Sequence, residues 1–452
     1  MDTGSSNGSI AMRRIDTEVF RLALITASVL LVSCQTAPKP VGAVSEDSDT
    51  APTFEPSAYV VEVSDAEGLV QLGMQHHPGI RAGEAKVRRL AAKVDQVTAL
   101  PDPKAKISAG NMAETAAGRV DFMAGVEQVI PFPGKLREQG QIAGREAAVA
   151  LADLEALRLQ VAERIRQAYW SYFLAVKTTE INRQSRSVLE LVRNTIDARV
   201  AANQASQGDQ LKLSTELGNI DKVLVQSRQR EQSSKASLNA LLNRPAGASL
   251  PFPSNVASPQ TRELNALLAK AETVHPDVAS SRAQIQSLQH RLKAAELDRY
   301  PNFVLGLQHA LVSDSGLAPS ANGRDQVFAS IGINIPLWQK PRRAKIREAA
   351  ASIDEAQSQL AAVRADLRFR VEDAWLRLQS SRELIALFDQ RILPESKQAF
   401  NVSIQSYAAD RLTFLEVLDT WRQWLGYQLQ QTQNHASLGQ ATAALHSASG
   451  EL

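Results

Sequence analysis

The sequence predicts a mainly helical chain with a small β-part of membrane type, laid out twice over as helix, β-hairpin, long helix, shorter helix. Three observations predict it. No proline occurs over the 111 residues between Pro133 and Pro245, so nothing there interrupts a helix. One segment in each half switches from helical spacing to strict alternation. Short motifs recur in the same order at slowly growing separations: His77-Pro78 as His275-Pro276, Leu100-Pro101 as Tyr300-Pro301, Ile130-Pro131-Phe132 as Ile335-Pro336-Leu337, Ala168-Tyr169 as Ala374-Trp375, and Ala202-Asn203 as Ala409-Asp410. The offset climbs from 198 to 207 without reversing, which two diverged copies with small loop insertions produce and scattered coincidences do not.

Composition narrows the function classes. Lys+Arg 50 against Asp+Glu 48 leaves a net charge of +2, too little to recruit a polyanion, so nucleic acid is not an expected partner. One cysteine excludes an intrachain disulfide, a CxxC redox pair and a thiolate cluster. Few glycines and 5% aromatics suit helix better than sheet.

The chain opens with a basic flank, Arg13, Arg14 and Arg21, before an apolar run from Leu22 to Val32 and the tetrapeptide Leu31-Val32-Ser33-Cys34. That run is too short to span a bilayer as a helix and matches the apolar core of an export signal. The tetrapeptide resembles a bacterial lipobox, which makes residues 1–33 a lipoprotein signal peptide and Cys34 the lipid-attachment residue; the alternative is a chance cysteine after an ordinary signal. Gln35 after the cysteine implies sorting to the outer membrane, and Met12 is an alternative start. Residues 34–60, rich in Pro, Ser, Ala and acids, read as a flexible tether. The two copies then occupy residues 61–250 and 251–452.

Each copy begins with a helix, about 62–100 and 261–300, closed by proline. Alternation follows. Val120, Phe122, Ala124, Val126 and Ile130 alternate against Asp121, Gly125 and Glu127, and Val327, Ala329, Ile331, Ile333 and Ile335 against Gln326, Ser330 and Asn334. These predict half-buried strands at about 120–130 and 326–335, with partners at about 104–111 and 303–312. The apolar positions Leu154, Leu157, Val161, Ile165, Ala168 and Tyr172 then step by threes and fours along a first limb of about 65 residues, roughly 100 Å at the helical rise. A break is expected at 201–208, with a shorter helix to Asn243. The second copy repeats this from Arg342 to Tyr407 and from Thr413 to His446, with a kink at Pro394.

About ten alternating residues suit a tilted strand crossing a bilayer, where a sheet must close. Four strands cannot close a barrel alone, so the sheet has to be shared: eight strands from two chains or twelve from three. Phe132 and Trp338 stand where strand becomes long helix; they suit a membrane-interface belt, the alternative on spacing being an aromatic cap on a sheet core.

Taken together, HPGI and HPDV opening the copies, LPDP before the first hairpin, VIPFPGK and INIPLW after the hairpins, and SYAADRLTFLEVLDTW at the second helical turn resemble the TolC family of outer-membrane efflux ducts over roughly residues 62–446. The resemblance implies a homotrimeric α/β barrel duct, a twelve-stranded shared barrel continued by a periplasmic tunnel of helices. It also implies an outer-membrane location, a periplasmic adaptor and an inner-membrane RND-type pump as partners, and no catalysis. PFPGK is most similar to the heavy-metal-efflux branch.

Glu416 and Asp419 are three residues apart and share a helix face. On spacing alone this is a solvated face or, in a threefold assembly, a ring of carboxylates able to gate or select. The resemblance places Glu416, Asp419 and Tyr407 at the periplasmic entrance, with Asp410 where the family more often has glycine. In the first copy Asp209 and Lys212 occupy the positions of the two acids. No histidine stands in a metal-binding spacing, and no nucleotide or hydrolase motif occurs, so neither a bound metal nor a cofactor is expected. The function that follows is a passive exit duct for metal ions or small organic compounds; the alternative is a periplasmic coiled-coil scaffold lipoprotein without a pore.

Overall fold

The structure is a computed structural model and describes residues 63–109, 114–115, 118–253, 263–314 and 323–452. The expected signal peptide, lipid-attachment residue Cys34 and tether lie outside the described residues. Each half opens with a pair of helices, α1 (Ala66–His76) and α2 (Pro78–Thr98) in the first, α5 (Leu264–Val274) and α6 (Pro276–Leu297) in the second. The sequence predicted one helix in each place, and the correction has a local cause. His77 and His275 precede proline and are held extended, at φ −69°, ψ 120° and φ −57°, ψ 134°, which ends the first helix. Each imidazole then caps the second: Nδ1 accepts from Gly79 N at 3.1 Å and from Asp277 N at 3.2 Å.

Strands β1 (Lys104–Ala109), β2 (Glu114–Thr115) and β3 (Gly118–Ile130) follow α2, and β4 (Phe303–Ser313) and β5 (Gln326–Ile333) follow α6. They form one antiparallel sheet in the order β1-β3-β4-β5, with β2 on β3. The central β3–β4 pair therefore joins a hairpin from each half. β1 and β5 are the two outer edges.

From the sheet run the long helices. α3 (Lys135–Ala201) has 67 residues, close to 100 Å of rise. It turns at 202–206 into α4 (Gln207–Leu241). In the second half α7 (Gln339–Leu387) passes through a wide π-type turn, Phe388–Ile392, into α8 (Leu393–Ala408), which turns at 409–413 into α9 (Phe414–Ser449). The wide turn lies where Pro394 removes one backbone donor. Four helices end alike. The backbone turns left-handed within two residues of the helix end, at Asn203 (φ 56°), Asn243 (φ 54°), Asp410 (φ 61°) and Gly450 (φ 76°). The next N–H then returns to the helix, as Gln204 N to Arg199 O at 2.8 Å and Arg411 N to Ser406 O at 2.9 Å.

No single large core forms. Seams of apolar side chains run along the bundle instead. One surrounds Tyr169, Trp170 and Phe173 with Leu69, Ile80, Leu238 and Leu242. Another joins α5, α7 and α9 through Leu267, Val371, Leu378 and Leu445. A third lies at the far turns. In the first seam Gly439 lets α9 approach α3: a Cβ there would stand 1.9 Å from the Trp170 ring. Among the described residues, no helix is long and apolar enough to cross a membrane.

Candidate functional site

Two places in this framework carry chemistry beyond packing: the sheet and the far end of the long helices. The register fixes which sheet residues share a face. Phe303, Leu305, Leu307 and His309 stand opposite Ile333, Ile331, Ala329 and Val327, and opposite Ile130, Gln128, Val126 and Ala124 across β3. Ala105 and Ile107 pair in turn with Val126 and Ala124. Direct partners in an antiparallel ladder project to the same side. Along these pairs the face is aliphatic and aromatic from edge to edge, interrupted there by Gln128 and His309. Gln128 is satisfied by the carbonyls of Pro101 at 2.7 Å and Val129 at 2.9 Å. The other face mixes Lys104, Lys106, Glu127, Gln308, Gln326 and Ser330 with Gly125, Gly306 and Gly332 and a few apolar residues. Lys106 and Glu127 form an ion pair on it.

Several residues of the apolar face are strongly exposed in the single chain: Ile331 is 79%, Ile107 72% and Leu307 58% accessible. Soluble monomers rarely leave a contiguous apolar surface of this kind uncovered. Alternation misassigns one residue. The register shifts between Val120 and Phe122, and this bulge turns Val120 to the mixed face, buried with Ala310 and Val312.

Phe132 and Trp338 differ in their surroundings. Phe132 stacks on Tyr300 with ring centroids 4.5 Å apart and planes 13° apart. Asn302 locks the same junction: its Oδ1 accepts from Phe132 N at 3.1 Å and Lys135 Nζ at 2.9 Å. Trp338 is 77% exposed. In one chain, then, Phe132 is part of a packed corner and Trp338 is open to its medium.

At the far end, the 202–206 and 409–413 turns are clipped together by Arg199 of α3. Its guanidinium donates to Tyr407 O, to Gln204 O at 3.3 Å and to Asp410 Oδ1 at 2.9 Å, and lies 4.6 Å from the Tyr407 ring centroid. Tyr407 is buried against Phe414, Ile196, Leu213 and Trp421. Its hydroxyl is buried without a hydrogen-bond partner among the described residues. Burial, with the Asp209 carboxylate nearby, pushes its phenol above the ordinary value. Asp410 takes the left-handed conformation that glycine would, and its carboxylate gains the Arg199 contact that glycine lacks.

Glu416 and Asp419 are both exposed, but neither carboxylate is free. Thr413 and Glu416 form a capping box at the start of α9: Thr413 N and Oγ1 each donate to Glu416 Oε2 at 2.8 Å, and Thr413 Oγ1 accepts from Glu416 N at 3.4 Å. These bonds hold the Glu416 carboxyl below its ordinary value. Asp419 faces Arg422 at 3.7 Å. Arg422 reaches across to α4, where Glu216 accepts from its Nη2 at 2.6 Å and its Nε at 3.3 Å. In the first-half turn, Asp209 is 3.4 Å from Lys212. Among the described residues no group of His, Cys, Asp and Glu side chains could hold a metal ion.

Comparison with known proteins finds one kind of relative. The outer membrane efflux protein family matches residues 267–451. The cobalt-zinc-cadmium resistance protein CzcC of Cupriavidus metallidurans is 23% identical over 356 residues, covering 79% of this chain and 82% of that one. The pyoverdine export outer membrane protein OpmQ of Pseudomonas putida is 22% identical over 481 residues, covering 95% and 97%. Among solved structures, the outer membrane protein VceC of Vibrio cholerae superposes with a TM-score of 0.71 at 18% identity, covering 85% of this chain and 96% of that one. CusC gives 0.71 at 15%, covering 88% and 96%.

Over its second half by family model, and over most of its length by relatives and fold, the chain is similar to outer membrane efflux proteins.

The sequence located the second-half turn correctly but not what holds it. Arg199 was missed because its partners in the second half, Tyr407 and Asp410, are about two hundred positions away, beyond the reach of any local pattern. The Glu216–Arg422 pair was missed for the same reason. The capping role of Glu416 was within reach, since Thr413-x-x-Glu416 ahead of an apolar run is itself a helix-start signature.

Proposed function

We propose that three copies of this outer-membrane efflux channel close a twelve-stranded barrel, each contributing β1, β3, β4 and β5, with the long helices continuing as a periplasmic tunnel. The observation that carries this reading is the sheet: apolar on one face, mixed and polar on the other, with an unpaired strand at each edge. Lipid satisfies the first face and a water-filled lumen the second. Pairing β5 of one chain with β1 of the next satisfies both edges and keeps every neighbour antiparallel. A scaffold without a pore leaves the apolar face in water.

The twofold repeat is supported by the paired His-Pro caps and by the matching left-handed helix ends, Asn203 with Asp410 and Asn243 with Gly450. The boundaries 61–250 and 251–452 follow from it. Residues 1–33 act as a signal peptide, Cys34 carries the lipid and 34–60 tether it. Trp338 anchors the interface; Phe132 supports it from the packed corner. The chain has no catalytic role. Its tips dock to a periplasmic adaptor serving an inner-membrane RND-type pump, and the likeness to CzcC, together with PFPGK, favours metal ions over small organic cargo. Glu416, Asp419 and Tyr407 line or brace the entrance. Asp419 is the acid facing solvent, while Glu416 contributes charge from within its cap.

Cysteine accessibility along β5 tests the barrel. With Cys34 acylated, single cysteines at 326, 328, 330 and 332 should react with a water-soluble maleimide in intact membranes, and those at 327, 329, 331 and 333 should resist it. Uniform labelling along the strand would refute the membrane sheet.

A further inference from the structure

We propose that the strand-to-helix junction of the second half is a basic collar that binds the phosphate groups of anionic phospholipids in the leaflet facing the long helices. The inference rests on the barrel reading and adds a ligand to it. After the exposed apolar residues Ile331, Ile333, Ile335, Leu337 and Trp338, the chain carries Lys340, Arg342, Arg343, Lys345 and Arg347 with no acid before Glu348.

Two of these cations are used inside the chain. Arg342 donates to the carbonyls of Asp298 at 3.0 Å and Trp338 at 2.6 Å, and Lys345 donates to Asp298 Oδ2 at 2.6 Å. Lys340, Arg343 and Arg347 are different. All three are exposed, none has a carboxylate partner among the described residues, and their spacing of three and four puts them on one face of α7. Arg137 and Arg299, also exposed and also without a described partner, extend the charge across the neighbouring junction.

The position selects the ligand. A tryptophan bordering lipid-facing strands marks headgroup depth, and the three cations begin within one helical turn of Trp338. At that depth the abundant anions are phosphodiesters. Arginine forms bidentate hydrogen bonds to them, and lysine supplies a point charge. A zwitterionic headgroup carries its own cation and competes poorly. Each basic residue near an anionic surface favours it about fivefold.

The full-length protein, reconstituted in mixtures of brominated phosphatidylglycerol or brominated phosphatidylcholine, reports this directly. Bromine quenches only tryptophans near lipid. Trp338 qualifies, whereas Trp170 and Trp375 lie more than thirty residues, about 50 Å, along their helices. The expected result is a relative association constant for phosphatidylglycerol at least about fivefold above that for phosphatidylcholine, collapsing toward one in 0.5 M salt. Lys340→Gln/Arg343→Gln/Arg347→Gln should bring the ratio to near one at low salt. Lys222→Gln/Arg228→Gln, far down α4, should leave it unchanged. A wild-type ratio near one, or a triple variant that keeps the wild-type ratio, overturns the collar and leaves the barrel standing. The salt dependence of the wild type decides the question if the triple variant does not assemble. Quenching by neither lipid overturns the barrel and the collar together.

Discussion

Ile331→Lys set against Ser330→Lys isolates the membrane sheet with two adjacent residues. Ile331 lies on the apolar face opposite Leu305, and Ser330 on the mixed face opposite Gly306. Ile331 is 79% exposed, so its replacement leaves no cavity and breaks no packing; in a soluble cap it would shift stability by no more than about 0.5 kcal/mol. On the lipid face of a barrel, lysine near the bilayer centre costs about 2–4 kcal/mol per strand, and a threefold assembly multiplies this to roughly 6–12 kcal/mol. Ser330→Lys places the same charge in the lumen, where water solvates it. The assay is the yield of detergent-resistant oligomer from outer-membrane fractions, supported by urea titration of refolding into vesicles. Ile331→Lys should lose the oligomer and Ser330→Lys retain it. Equal behaviour of the two variants, in either direction, would refute the assignment of faces.

Four further predictions follow from other contacts. Arg199→Ala removes charge-assisted hydrogen bonds to Tyr407 O and Asp410, worth about 1.5–3 kcal/mol each at most; hydrogen exchange should accelerate at 202–206 and 409–413, and channel opening should become more frequent. Glu416→Gln with Asp419→Asn should alter cation block or selectivity in single-channel recordings, and an unchanged channel would sink the entrance assignment. Gly439→Ala forces a methyl group into the Trp170 ring and should destabilise by about 1–3 kcal/mol, read as a lower unfolding midpoint. His275 supplies a pH dependence. Burial, aided by Arg370 and opposed by Asp277 and the Ser447 carbonyl, pushes its imidazole below the ordinary value. The folded state therefore binds fewer protons than the unfolded one. Stability is full above about pH 6.5 and declines as pH falls below it. His275→Gln should flatten that part of the pH profile.

The sequence was most informative where structure repeats over short distances. Alternation located β3 and β5 to within two residues at each end, because a strand with two unlike faces writes them in a period of two. The proline-free stretch covers α3 and α4 together, and the break expected at 201–208 marked where the first ends and the second begins. Legibility failed where a single residue changes the geometry. The bulge at Val120–Phe122 reverses one side chain without a compositional mark, and the His-Pro dipeptides, taken as repeat markers, also end one helix and cap the next. At the tip, local spacing placed Glu416 and Asp419 on one face but could not show that one carboxylate folds back onto Thr413 and the other meets Arg422, whose own partner is on α4.

The central claim, a sheet completed between chains to enclose a pore, is tested most directly by the native mass of the detergent-extracted protein together with its conductance in a planar bilayer. The account predicts a particle of three chains whose pores conduct in proportion to salt. A single chain that leaves the membrane once Cys34 is replaced, and that passes no current, would contradict it.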